Sequence, residues 1–245
     1  MENQMFCFQC QETAKGTGCT VRGVCGKLPE TSRWQDLLIS VVRGLGTIGH
    51  ALNEAGVSYD KQKVGDSIVD GLFACITNAN FDDDALLGRV DKALALKRQL
   101  LDTAMAAKVS LPDYQEVKWG GEKADYLAEG NREGILRNTN ADQRSLKELT
   151  ILGLKGMAAY YEHAARLGYR QEDIINFIMK ALAVISNPDA DQQTLLATVL
   201  ETGKYGVDVM ALLDKANTES YGNPELTKVN IGVGKRPGIL ISGHD

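Results

Sequence analysis

No apolar run in the 245 residues approaches the roughly 20 that a helix needs to span a bilayer. The chain is therefore expected to lie off the membrane. Its start, MENQMFCFQC, lacks the basic segment and apolar stretch of a secretory signal, which argues for a cytoplasmic protein. In that compartment thiols stay reduced, and clustered cysteines more often bind metal than form disulfides. A basic surplus is also missing. The 27 Lys and Arg against 32 Asp and Glu leave a net charge of −5, which argues against a broad nucleic-acid footprint. No low-complexity tract or long-period repeat stands out. With 44% hydrophobic and 24% charged residues the composition is that of an ordinary soluble protein. The length allows one large or two modest domains with a core that needs no disulfides.

Cysteine is concentrated in one place. Four of the five occur in MFCFQCQETAKGTGCTVRGVCGK: Cys7, Cys10, Cys19 and Cys25, spaced C-x2-C-x8-C-x5-C. A C-x2-C pair lets two thiolates reach one centre from a single tight turn. Gly16, Gly18 and Gly23 would let the backbone fold back so that Cys19 and Cys25 complete the site. A ligand set of cysteines with no histidine in the segment suits an iron–sulfur cluster or structural zinc. Zinc ribbons usually show two C-x2-C knuckles, and the second pair here is spaced by five, which favours the cluster. Zinc and a non-metal role stay open.

Helical periodicity dominates the rest. Ser32 followed by Gln35 suggests a capping box. It introduces Leu37, Leu38, Val41, Val42, Leu45, Ile48 and Leu52, with Gly56 as the stop. A second helix runs through Val64, Ile68, Leu72 and Cys75. A third follows Phe81 and the acidic run 82–84, which reads as a solvated helix start favoured by the helix dipole. Residues 109–139, with Pro112 and Gly120–Gly121, read as a connector of loops and short helices. Long helices return through Leu146–Ala164 and Ile174–Ile185, the latter stopped at Asn187–Pro188. A further helix through Leu195–Leu200 is expected to stop at Gly203, and a short one to cover Val207–Leu213. Val229, Ile231 and Val233 alternate, and Gly238–Ile241 is an apolar run, the pattern of a buried parallel strand. The fold class expected is mainly α. A cysteine loop (1–30) leads into a helical domain of two bundles (31–222), and 223–245 hold the first strand of a truncated Rossmann-like α/β domain.

Outside the loop, Cys75 lies on an apolar stripe and reads as a buried structural thiol. His50 and His163 read as packing or surface residues. His244 follows the expected strand end, where open α/β sheets build their sites. Gly234-Lys235 and Gly44-x-Gly46 lack the strand–turn–helix setting of a phosphate loop.

The cysteine run, the following WQDLLISVVRG and the terminal RPGILISGHD together resemble the N-terminal half of the hybrid-cluster protein family, also called prismane or hydroxylamine reductase. The likeness covers the whole chain. That family is related to nickel carbon monoxide dehydrogenases, with a helical domain followed by two Rossmann-like domains. The resemblance implies that Cys7, Cys10, Cys19 and Cys25 ligate a proximal cluster, the compact spacing being that of the [4Fe–4S] form. It implies that His244 ligates a second, hybrid iron–sulfur–oxygen cluster. Four further cysteines of that hybrid site have no counterpart here, because no Cys follows Cys75. The implied reaction is reduction of hydroxylamine to ammonia and water, with nitric oxide reduction as another proposed role and an electron donor protein as partner. A stand-alone electron-transfer module and a structural zinc-binding helical protein are the alternatives.

Overall fold

A computed structural model of the chain describes residues 5–76 and 81–239. Eight α-helices are present among them: α1 (Pro29–Glu54), α2 (Lys61–Ile76), α3 (Asp83–Ala106), α4 (Gln115–Lys118), α5 (Tyr126–Arg132), α6 (Ala141–Arg166), α7 (Glu172–Ser186) and α8 (Gln192–Tyr221). Three of the long ones start at side-chain caps. Asp82 accepts from the Ala85 amide at 3.0 Å, Asn140 from Asp142 and Gln143 at 3.1 Å, and Asp191 from Thr194 at 2.7 Å. Each satisfies amides that the first helical turn leaves unpaired.

The first helix begins differently from the expectation. Leu28 is its N-cap and Pro29 its first residue, so the expected Ser32–Gln35 box lies inside the helix. The Ser32 amide already donates to the Leu28 carbonyl at 3.1 Å. Proline at the first position needs no amide partner and presets φ for the helix, which moves the start forward.

α1 is the central element. Its apolar face is almost fully excluded from solvent, and α2, α3 and α7 pack on it together with the short α4 and α5. α6 packs on α2, α7 and α8, and one contiguous apolar core joins all the long helices. Close approach of the connector depends on Gly44. A Cβ there would overlap the Glu116 backbone carbonyl of α4.

Two expectations about the C-terminal third are corrected. α8 runs unbroken through Gly203 to Tyr221 instead of stopping. A glycine inside a helix costs only about 1 kcal/mol relative to alanine, and packing against α6 and α7, including the Phe177–Tyr205 stack at 4.2 Å, outweighs it. After Gly222 the described chain forms neither helix nor strand, so the strand expected through Val229–Val233 is not formed. These residues are exposed, and a strand without a neighbour has nothing to satisfy its backbone. The rest of the expected strand and His244 lie outside the described residues.

Candidate metal centre

The loop ahead of α1 is organised by backbone pairing between its first and third cysteines. The Cys7 amide donates to the Cys19 carbonyl at 3.0 Å, and the Cys19 amide returns to Cys7 at 2.8 Å. This antiparallel bridge is the only β-pairing among the described residues. Met5 extends it by donating to the Thr20 carbonyl at 3.1 Å. The turn between the two is a single 3-10 turn, Ala14–Gly16. Gly18 closes it with φ near +132°, where an added Cβ would stand 2.6 Å from the Phe6 ring. Only glycine fits that position.

The thiols differ in setting. Cys19 is buried, Cys7 half-buried, and Cys10 and Cys25 exposed; all five cysteines are free. The Ala14 amide donates to Cys19 Sγ at 3.4 Å, and the Thr13 hydroxyl lies 3.6 Å from it. The same hydroxyl donates to the Cys7 carbonyl at 3.0 Å. The amides of Ala14 and Val24 hold the Cys19 thiol below its usual pKa. The Thr13 hydroxyl adds to this, burial opposes it, and Lys27 contributes a further lowering. Donors aimed at a sulfur favour its thiolate, the form that binds metal.

Lys27 is a residue that the spacing of the cysteines did not single out. It is 1% exposed, donates to Gln35 Oε1 of α1 at 2.6 Å and reaches Cys7 Sγ at 3.7 Å. Its proximity to the cysteine run was visible in the sequence, but its burial was not. Gln35, read as part of a capping box, is instead the partner that holds this ammonium.

Among the described residues no three histidine, cysteine or acidic side chains are gathered around one point as they would be for a single metal ion. The structure joins Cys7 to Cys19 and leaves Cys10 and Cys25 at the exposed turns of the same loop. The donor set, four thiols with the Ala14 amide already directed at one of them, suits a site ligated by thiolates. Cys75 is a buried thiol behind this loop, weakly bonded to the Gln35 carbonyl at 3.9 Å, and burial pushes it up to about 11. His50 is half-buried, and His163 packs edge-on against Phe73 at 5.6 Å.

Behind the loop lies a buried ionic cluster built by the connector. Glu116, 3% exposed, pairs with Arg43 of α1 at 2.8 Å and with Arg137. Glu133 pairs with Arg137 and, at 3.7 Å, with Arg132. The Lys97 ammonium donates to the Glu116 and Trp119 carbonyls, and burial lowers it to about 8. Glu116, Arg132, Glu133 and Arg137 come from the connector, which has no periodic signature, and Arg43 and Lys97 from α1 and α3, so no sequence pattern marked them as a group.

The Prismane/CO dehydrogenase family pattern matches residues 5–245. A hydroxylamine reductase of Porphyromonas gingivalis is 52% identical over 245 residues, all of this chain and 44% of that protein. A hydroxylamine reductase of Desulfitobacterium hafniense is 51% identical over 244 residues, and one of Nitratidesulfovibrio vulgaris 48% over 248. Each match covers 98% of this chain and 44% of the relative. The chain therefore spans less than half the length of these relatives.

Proposed function

Because the chain belongs to the Prismane/CO dehydrogenase family, we propose that it is the electron-entry part of a hydroxylamine reductase, carrying a [4Fe–4S] cluster on Cys7, Cys10, Cys19 and Cys25. The observation that carries this reading is the Cys7–Cys19 bridge, with the Ala14 amide directed at one sulfur and Lys27 at the other. When bound, such a cluster supplies reversible one-electron storage.

The chain's own residues do the rest. The four thiols hold the group, and the exposed Cys10 and Cys25 turns leave one side open to an electron donor protein. The Lys27 ammonium and the amides around Cys19 offset negative charge and favour the reduced form. Residues 1–30 are then the cluster loop, 31–222 the helical domain, and 223–245 the approach to an α/β domain. His244 would serve a hybrid iron–sulfur–oxygen cluster completed by residues beyond this chain. Hydroxylamine would there take up two electrons and two protons to give ammonia and water.

Anaerobic reconstitution with iron and sulfide tests the reading. A brown chain whose visible absorption bleaches reversibly on reduction supports it. A colourless chain holding one zinc overturns it in favour of a structural zinc protein.

A further inference from the structure

Gln35 stands in the second turn of α1 and is 7% exposed. Its two amide atoms are used unequally. Oε1 accepts from the Lys27 ammonium at 2.6 Å. An ammonium only donates, so that contact fixes which end of the amide is oxygen and which is nitrogen. Nε2 is buried and makes no hydrogen bond with any described residue. A buried donor without a partner is costly, and folded proteins keep few of them.

The space beside this side chain belongs to the cysteine loop. A small cavity of about 40 Å³ is lined by Gln35, Lys27 and Cys7, with Asp36 and Lys155 also on its walls. From there the Lys27 ammonium reaches Cys7 Sγ at 3.7 Å. Lys155 donates to Gln9 Oε1 at 2.9 Å, and Asp36 takes nothing from Nε2. A water fits a cavity of this size, but an anionic sulfur is the better acceptor for an amide donor.

We propose that Gln35 is a hydrogen-bond donor to the iron–sulfur site, its Nε2 serving a sulfur on the Cys7 side while its Oε1 holds Lys27 there. The inference rests on the loop being an iron–sulfur site. Hydrogen bonds to the sulfurs and nearby positive charge both stabilise the more negative, reduced form. One side chain then raises the potential in two ways, through its own amide and through the ammonium it fixes. α1 is thereby part of the redox site as well as of the core.

The test is a redox titration of the iron-loaded chain and of Gln35→Met, Lys27→Met and the double variant. Each is first matched to the parent in iron content and helical circular dichroism. Gln35→Met keeps the length of the side chain, removes the donor and should lower the midpoint potential. The same substitution made in Lys27→Met should lower it further, because the amide acts without the lysine. Electron–nuclear double resonance of the reduced chain in deuterium oxide should show one exchangeable deuteron fewer in Gln35→Met. A merely structural glutamine would move neither signal. A loaded Gln35→Met with the parent's potential and deuterons overturns the proposal while leaving the cluster reading intact. A shift that vanishes in the Lys27→Met background overturns it too, since Gln35 then acts only by placing the lysine. Where Gln35→Met fails to load, Gln35→Glu keeps an oxygen for Lys27 and should lose the same deuteron; its retention overturns the proposal. A parent chain that takes up no iron and sulfide overturns the cluster reading, and the proposal with it.

Discussion

Cys10 is exposed on the loop, whereas Leu37, Leu38, Val42, Leu45 and Ile48 of α1 are wholly buried elsewhere. Cys10→Ser should therefore abolish the visible absorption of the loaded chain and leave the helical circular dichroism near its parent value. Loss of the helical signal would show that fold and cluster depend on each other. Asp36 gives a second prediction at this scale, in the cluster-free chain. Burial pushes it up to about 8, against about 3.9 in an unfolded chain. The fold thus favours the protonated form. That contribution is fully present below about pH 4 and is lost as pH rises towards 8. Asp36→Asn should unfold at a higher urea concentration than the parent at pH 8 and at the same one at pH 4. An equal difference at both pH values would contradict it. The cysteines were legible because their spacing is local. Lys27, Gln35 and Asp36 were not, because folding, and not spacing, puts an ammonium, an amide and a carboxylate against the loop.

At the scale of elements, two glycines make opposite predictions. Gly44→Ala would drive a methyl into the Glu116 carbonyl of α4, with backbone on both sides and no side chain free to yield. It should cost about 3 kcal/mol in urea unfolding, the upper end for overpacking. Gly203 lies in the middle of α8 with open space around the position of its Cβ. Gly203→Ala should stabilise the chain by about 0.5–1 kcal/mol, and a loss of stability would count against an unbroken α8. Helices α1, α2, α3, α6 and α7 were legible because their apolar stripes repeat at three and four residues. The α1 start was misread because Ser32–Gln35 imitates a cap while Pro29 fixes an earlier one. The Gly203 stop was misread because the stacking of Tyr205 on Phe177 is a tertiary gain, invisible to local propensity. The alternation Val229–Val233 marked strand chemistry, but the described residues offer no neighbour to pair with.

For the whole molecule, one apolar core ties the long helices together, and the cysteine loop sits at its edge against α1. The 245 residues contain no cysteine after Cys75 to complete a second, substrate-reducing site. The loaded chain should accordingly accept electrons from a chemical reductant and fail to turn over hydroxylamine. Sustained ammonia formation would contradict that division of labour. The central claim is that Cys7, Cys10, Cys19 and Cys25 hold one iron–sulfur cluster, and iron and acid-labile sulfide analysis of the anaerobically reconstituted chain tests it most directly. About four irons and four sulfides per chain, lost together in Cys10→Ser, is the result predicted. One zinc per chain with no sulfide would contradict it.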